Sequence, residues 1–485
     1  MPISIPSGSR VDSVDAPGQE SGGMLRGVRE MARRGWKYYR FFVWSWWLDR
    51  RFRHQTEASL ESTQLGKISR LVRHAYRNLP FYREIYAGLS VNPEEIRSWD
   101  EFRALPRITK EDLRRNFPDR IVYQVSRVGP ADFGRSSGTT GESVQFVRDA
   151  SWKRNHYFGL LALHRWRLSP RTGELQTPQC TTTTCSLDRK AVTLEDRVRR
   201  WLIRTRLNSY IYLPSSGDVF GESAEYFDGI RHILQQNRAE YLYGASNYVG
   251  QFARSLLTRG QKFPLQGVVC SSELLLASVR HEIESAFCCP VLNHYACSEI
   301  PGVADECLSG RWHVRTDTIH AEIELDGRPS GPGELGSLIL TDLDNYRMPL
   351  IRYDVGDLAR QPDRPCDCGK RNQPLVAIEG RWRDAWRDAQ NRLVSPAQVG
   401  DAVARGGLRG RYRIVQTGLR RVVISTVDYD STENPDVRQS VRRELEQLMD
   451  DSLQIDWRRV NQIRPEKSHK YRLVYSELNS TPAGV

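Results

Sequence analysis

No apolar run in this sequence is longer than the eight residues Phe41–Leu48, FFVWSWWL, well short of the length a helix needs to cross a bilayer. Residues 1–23 are polar, rich in Ser, Gly and Pro, and lack the apolar centre of a secretory signal; they read as a disordered lead. These two absences predict a cytoplasmic protein. Nine cysteines, an odd number, argue against a disulfide framework and leave reduced thiols or metal ligands. Hydrophobic residues make up 39% of the 485, enough for a large core, and the length fits either two to four domains or one large α/β domain with an appendage. No internal repeat is visible.

Acidic residues are too few to balance the basic ones. The net charge is +12, which raises the question of nucleic acid as a partner, but the excess is local. Between Met24 and His54 nine Lys and Arg side chains meet only Glu30 and Asp49, so +7 of the +12 lies there, together with four of the 12 tryptophans. Cations interleaved with aromatics suit a helix lying on an anionic membrane surface. They suit better an N-terminal helix whose aromatics dock on the main domain while its arginines stay solvated. Nucleic acid ranks last among the three.

Helical spacing begins after residue 55. Leu65, Ile68, Leu71, Val72, Ala75 and Tyr76 recur at three and four, and Pro80 ends that helix. ITKEDLRRNF opens another, with Thr109 as N-cap and Asp112 three residues on. From about Val122 to Glu379 short apolar strands alternate with helical stretches, as where LQGVVCSSE precedes LLLASVRHEIESAF. After IEGRWRD two adjacent strands, RYRIVQTG and RRVVISTV, precede the helix DVRQSVRRELEQLMDD and the strand SLQIDWRRV. The fold class is therefore α/β, a large N-terminal α/β domain followed by a small C-terminal α+β domain. The expected divisions are a lead over 1–23, a helical segment over 24–121, a core over 122–380 and a lid over 381–485.

Gly134–Ser143, GRSSGTTGES, packs five hydroxyl side chains and three glycines into ten residues. A surface turn has the same composition. The stretch is not a Walker loop, since no Lys follows Gly141, and it lacks the glycine spacing of a dinucleotide fingerprint. It offers backbone N–H groups exposed by Gly138 and Gly141 and hydroxyls from Ser136, Ser137, Thr139 and Thr140, a concavity suited to polyphosphate.

Three later stretches join it in order: YACSEIPGVADEC, LIRYDVGDLA and IEGRWRD. Together they resemble the phosphate loop, the tyrosine-to-glutamate motif, the ribose-binding aspartate motif and the hinge of the adenylate-forming superfamily. LVRHAYRNLPFYREIY, LPRITKEDLRRNF, CDCGKRNQPLVAIEGRWRD and EKSHKYRLV resemble more narrowly the phenylacetate–CoA ligase branch and its relatives encoded with capsule-polysaccharide genes. The likeness covers about residues 55–475. It implies carboxylate activation, in which R–COO⁻ attacks the α-phosphate of ATP to give acyl-adenylate and pyrophosphate, and a thiol or amine then displaces AMP.

The resemblance also implies partners and roles: a carboxylic acid, ATP with Mg2+, and CoA or an amine as acceptor. Ser136, Ser137, Gly138, Thr139, Thr140 and Gly141 would cradle phosphate, Glu299 would hold Mg2+, and Tyr295 would border the adenine. Asp357 would accept from both ribose hydroxyls, and Arg381 would reach ribose or phosphate. Ser272, Glu273, Ala296 and Ser298 complete the ATP site, while Tyr243, Ser246 and Asn247 line an acyl pocket. Asp384 would be the hinge, and Lys470 the catalytic lysine, preferred to Lys467 because Tyr471 and Arg472 follow it directly. Three departures stand out: Glu142 where the loop usually has Lys, Ala296 where a glycine is usual, and His469–Lys470 where a Gly–Lys pair is usual. Two other functions stay open, an amide synthetase using the same adenylate and a silent relative acting as a membrane-docked scaffold.

Cys307, His313, Cys366 and Cys368 form a separate constellation. Three thiols and an imidazole are the ligands a tetrahedral structural zinc takes, and some members of the branch resemble the arrangement. Against this, C-x-C is tighter than the usual knuckle, which leaves four unrelated side chains as the other reading. The pair in FCCPV reads as buried core strand.

Overall fold

A computed structural model describes residues 56–129, 132–136, 143–147, 149, 172–175, 210–213, 223–368, 374–427, 434–466 and 470–479, with 172–175 and 210–212 as backbone strands alone. Residues 1–54 and 55–485 make two compact units. The polar lead and the basic aromatic segment 24–54 fall in the first and lie outside the described residues. Among the described residues no helix is long and apolar enough to cross a membrane.

Helix α1, Glu57–Asn78, starts where the Thr56 hydroxyl accepts the Ser59 N–H. Ile68, Leu71, Val72 and Ala75 on its periodic face are fully buried. Pro80 stops it and opens α2, Pro80–Ile85, at the position where a missing N–H costs nothing. After α3, Trp99–Arg103, Thr109 caps α4, Lys110–Asn116, with a complete capping box. The Thr109 hydroxyl accepts from the Asp112 N–H, and the Asp112 carboxylate accepts from the Thr109 N–H at 2.8 Å.

Strands β1, Phe133–Arg135, and β2, Gln145–Val147, pair antiparallel. The strands β3 (Thr172–Leu175), β4 (Tyr210–Tyr212), β5 (Tyr241–Ala245), β6 (Gly267–Ser271) and β7 (Val291–Tyr295) pair in parallel. Parallel neighbours need crossovers, and α5 (Ala224–Gln236), α6 (Ser246–Leu257) and α7 (Ala277–Phe287) supply them between β4 and β7. Every residue of β5 and β6 is buried, as strands covered on both faces require. The sheet then turns antiparallel through β8 (Ala304–Glu306), β9 (Trp312–Val314), β10 (Ile319–Leu325), β11 (Arg328–Pro329), β12 (Leu335–Asp342), β13 (Tyr353–Arg360) and β14 (Leu375–Arg381). Its twelve strands lie in the order β11-β10-β12-β13-β14-β9-β8-β7-β6-β5-β3-β4.

Beyond β14 a hairpin of β15 (Trp386–Arg387) and β16 (Leu393–Val394) leads into α8, Pro396–Arg405. Then come β17 (Tyr412–Gly418), β18 (Arg421–Thr426), α9 (Pro435–Met449), β19 (Gln454–Arg459) and β20 (Val474–Ser476), whose four strands lie in the order β19-β18-β17-β20. The expected α+β pattern is therefore present after IEGRWRD. Gly380 makes the passage possible: its φ is +104°, and a Cβ there would meet Pro396 Cγ at 2.9 Å. One apolar cluster runs from α6 and α7 through Leu276 into Val399, Tyr412 and Ile414, so the small sheet shares a core with the parallel half of the large one. A second cluster joins α1–α4 to the antiparallel half. The expectation for FCCPV needs correction: Phe287 ends α7, and Cys288 takes a left-handed cap with φ 51° and is exposed. The strand starts only at Val291.

On β10, His320 stacks on Trp99 with ring centroids 4.6 Å apart, and its Nδ1 lies 3.3 Å from Gln64 Oε1 of α1. Burial, with Arg103 and Arg352 nearby, pushes its pKa down to about 3. Folded His320 therefore stays neutral, whereas unfolded histidine takes a proton near pH 6.5. The stability this contributes is full above that pH and is lost as pH falls toward about 3. His320→Gln should flatten the pH dependence of urea midpoints between about pH 6 and 4; an unchanged slope would place the acid sensitivity elsewhere.

Candidate active site

Open α/β sheets bind ligands beyond the carboxyl ends of their parallel strands. Three adjacent strands end here in residues singled out by sequence: β5 runs into Ser246 and Asn247, β6 into Ser272 and Glu273, and β7 ends at Tyr295 with Glu299 in the loop beyond. The buried pair His294 Nδ1–Asp305 Oδ1, at 2.6 Å, ties β7 to β8 and fixes the strand end that carries Tyr295.

The Tyr295 hydroxyl donates to Asp357 Oδ2 at 2.6 Å, and Arg381 Nε lies 3.5 Å from Asp357 Oδ1. Asp357 and Arg381 are register partners across β13 and β14. Withdrawal from water and the Asp357 charge push the Tyr295 phenol well up, so it remains a donor. Beside it the Tyr353 hydroxyl donates to Glu299 Oε1 at 3.2 Å, its own pKa raised by burial and by Glu299. Glu299 and Asp357 are both buried, Ala296 is half-buried and Ser298 is exposed.

The C-terminal segment closes the other side. Lys470 Nζ donates to the Ser272 carbonyl at 3.0 Å, and the Tyr471 N–H donates to Glu273 Oε1 at 2.9 Å. Arg472 Nε donates to Asp384 Oδ1 at 2.5 Å, and its guanidinium lies 4.2 Å from the Tyr475 ring centroid. Glu273 Oε2 accepts from both the backbone N–H and the Nδ2 of Asn247, each at 3.2 Å, and the Ser246 hydroxyl donates to the Glu273 carbonyl at 3.1 Å. Burial raises the Glu273 pKa, countered by these donors and by Lys470. Tyr243, on the same strand that runs into Ser246 and Asn247, packs with Val269 and Leu292 in a small cluster.

Of the phosphate-loop stretch only its base is described. Ser136 N–H donates to the Val144 carbonyl and the Ser136 hydroxyl accepts from the Val144 N–H, both at 2.8 Å, so the two residues pinch the mouth of the β1–β2 loop. Val144 and Phe146 share one core with Ile300, Val303, Tyr353 and Val355, which ties that base to the loop bearing Glu299 and the strand bearing Asp357. Ser137, Gly138, Thr139, Thr140, Gly141 and Glu142 lie outside the described residues, as do Lys467 and His469.

Two neighbours escaped the sequence reading. Tyr353 stands two residues before Val355 and four before Asp357, on one buried strand face, so period-two alternation from the aspartate would have found it. Lys110, at the first turn of α4, has its Nζ 3.6 Å from where a Cβ on Gly356 would sit. It lies more than 240 residues from that glycine in sequence, and no local pattern marks it.

Cys307, His313, Cys366 and Cys368 do converge, their ligand atoms all within 4.8 Å of one another. Cys307 and Cys366 Sγ are 3.6 Å apart, and Cys368 Sγ lies 3.2 Å from His313 Nε2. Cys307 follows β8, His313 is on β9, and the C-x-C pair lies in the connection from β13 to β14.

A layered sheet with a lysine-bearing small domain closing over its strand ends defines the class of adenylate-forming ligases, and comparison with known proteins agrees. No protein-family model matches the chain. By sequence it is 25% identical over 347 residues to phenylacetate-coenzyme A ligase of Thermus thermophilus, covering 67% of this chain and 71% of that one. It is 22% identical over 409 residues to protein CapK of Staphylococcus aureus, covering 83% and 86%. By fold it matches 2-hydroxyisobutyryl-CoA ligase in the postadenylation state, with TM-score 0.65, 18% identity and coverage of 86% and 89%. The same ligase in its thioesterification state matches at 0.54, with 17% identity and coverage of 88% and 91%. By sequence the chain is similar to the phenylacetate-CoA ligases and CapK, its fold is that of the adenylate-forming ligases, and it is an acid ligase of that kind.

Proposed function

We propose that the chain activates an aryl or alkyl carboxylic acid with ATP as the acyl-adenylate and transfers the acyl group to the thiol of CoA. The observation that carries this reading is the placement of Lys470, 198 residues away in sequence, against the Ser272 carbonyl at the carboxyl end of β6. The acid and the triphosphate repel, so the first half-reaction needs positive charge more than it needs a base. Lys470 supplies it from one side, bridging carboxylate and α-phosphate oxygens, and Arg381 supplies it from the other. Asp357 takes the ribose hydroxyls, exchanging its bond from Tyr295 for theirs, and Tyr295 borders the adenine. The Gly134–Ser143 loop, pinched at Ser136, cradles the phosphates. Glu299, a buried carboxylate steadied by Tyr353, fits the Mg2+ that arrives with ATP, a hard ion that takes oxygen ligands and offsets phosphate charge. Ser246 and Asn247 border the acid.

A carboxylate oxygen bonds to the α-phosphorus while the bond from that phosphorus to the bridging oxygen breaks, and pyrophosphate leaves with the electron pair. CoA thiolate then attacks the acyl carbon and AMP leaves with the electron pair of the broken C–O bond. The second step needs the space that Lys470 fills, so the C-terminal domain turns about Asp384, breaking its bond to Arg472.

The Cys307, His313, Cys366 and Cys368 cluster fits a zinc ion, since three thiols and one imidazole bring their ligand atoms within 4.8 Å of one another. Zinc there would pin β9 to the β13–β14 connection, a structural task remote from the chemistry.

A panel of aryl and alkyl acids should contain at least one that gives ATP-dependent pyrophosphate release and a CoA-dependent thioester. Asp357→Ala should raise the KM for ATP on the order of 10-fold with that acid. Pyrophosphate release with product formed equally well without CoA would reject the thiol acceptor, and silence across the panel would reject the ligase reading. Purified protein should carry about one zinc per chain, and Cys366→Ser should lose the metal and melt at lower temperature. Metal-free wild type of equal stability would reject the metal site.

A further inference from the structure

The carboxylate of Glu273 was expected at the ATP site, yet its surroundings suit another task. A carboxylate aimed at triphosphate would repel it, and both Glu273 oxygens are already engaged by three N–H donors. Two come from Asn247, at the start of α6 on the acid side, and one from Tyr471, next to Lys470 in the C-terminal segment. Ser272, between strand end and glutamate, holds a left-handed φ of 69° and gives its carbonyl to Lys470. A non-glycine residue keeps that conformation only where its surroundings fix it. The Ser246 hydroxyl, bonded to the Glu273 carbonyl, supplies that restraint. The turn Ser271–Glu273 therefore touches both the acid-side residues and the lysine-bearing segment, through adjacent groups of one peptide.

We infer that Glu273 is a positioning residue that holds Lys470 at the reaction centre by anchoring the Tyr471 N–H, and that Asn247 orients the anchor. The inference rests on the ligase reading for its kinetic consequence, though not for the contact itself. Two consequences follow from the donor pattern. Asn247 influences the lysine without touching it, because a donor lost or reversed at Oε2 lets the carboxylate turn away from Tyr471. The anchor also matters for one half-reaction alone, since Lys470 leaves the site before thiol attack.

The exchange of amide and carboxylate tests this. Glu273→Gln places an amide against the Asn247 donors, and Asn247→Asp places a carboxylate against the Glu273 carboxylate. The double variant Glu273→Gln/Asn247→Asp restores a donor–acceptor pair between the side chains. Hydrogen exchange in the peptide spanning 470–474 of the ligand-free protein should accelerate by about 10-fold or more in each single variant, with β6 peptides unchanged, and slow again in the double. With an accepted acid, adenylate formation should fall on the order of 10-fold to 10²-fold in each single variant, while in Glu273→Gln transfer from supplied acyl-adenylate to CoA stays within about 2-fold. The double variant should recover part of that loss. A purely structural role would lower both half-reactions together and show no recovery, which would overturn the inference. Unchanged exchange at 470–474 in both single variants would overturn it as well. Because exchange is read without turnover, absence of any accepted acid would count against the ligase reading and leave the anchor to be judged by exchange.

Discussion

A carboxylate withdrawn from water must be met by hydrogen-bond donors, and Glu273 meets three from two distant parts of the chain. Much of the arrangement follows from that requirement. Asn247 stands 26 residues before it and Tyr471 198 residues after, so satisfying one side chain brings the start of α6, the end of β6 and the C-terminal segment to one point. Around this point the seam is mostly apolar, with Leu276 against α8 and Tyr412 reaching the Ser278 hydroxyl at 3.2 Å. Apolar area supplies the adhesion here. The few polar contacts, Lys470 with Ser272, Tyr471 with Glu273 and Arg472 with Asp384, set the position. Each of those polar groups has water as an alternative partner, which makes the contacts exchangeable in a way a close-packed core is not.

Around Asp357 and Glu299 the same economy appears in buried phenols. Tyr295 and Tyr353 are held protonated by burial and by the carboxylates they face, so each donates to its carboxylate. A carboxylate that already receives a phenolic hydrogen bond is prepared for a ribose hydroxyl or a cation, because the site has been built around its charge. The β13–β14 register, which sets Asp357 opposite Arg381, then puts a permanent positive charge beside it without any side chain having to travel.

How much of this the sequence disclosed depends on range. Thr109 with Asp112, the periodic face of α1, the stop at Pro80 and the late α+β pattern were legible because they are set by residues three or four apart. The thiols and imidazole of the cysteine cluster were legible by residue type, though their convergence depends on β8, β9 and β14 lying side by side, which no spacing reveals. Tyr353 was within reach through strand alternation. Lys110 beside Gly356 was not, and neither was the link from Glu273 to Tyr471, since both are contacts between elements hundreds of residues apart. Glu273 was expected at the ATP site from the resemblance, and its donors from Asn247 and Tyr471 become visible only in the folded chain. Cys288 misled for a local reason: an apolar string after a helix looks like a strand unless the left-handed cap is anticipated.

Lys470 joins these parts, since it is held by the β6 turn, precedes the residue anchored by Glu273, and in the proposed reaction would carry the charge the first half-reaction needs. The most direct measurement is Lys470→Ala assayed in each half-reaction separately. Acyl-adenylate formation, followed by pyrophosphate release, should fall on the order of 10²-fold or more, while thioester formation from supplied acyl-adenylate and CoA should remain nearly intact. Equal loss in both steps, or loss in neither, would contradict the account.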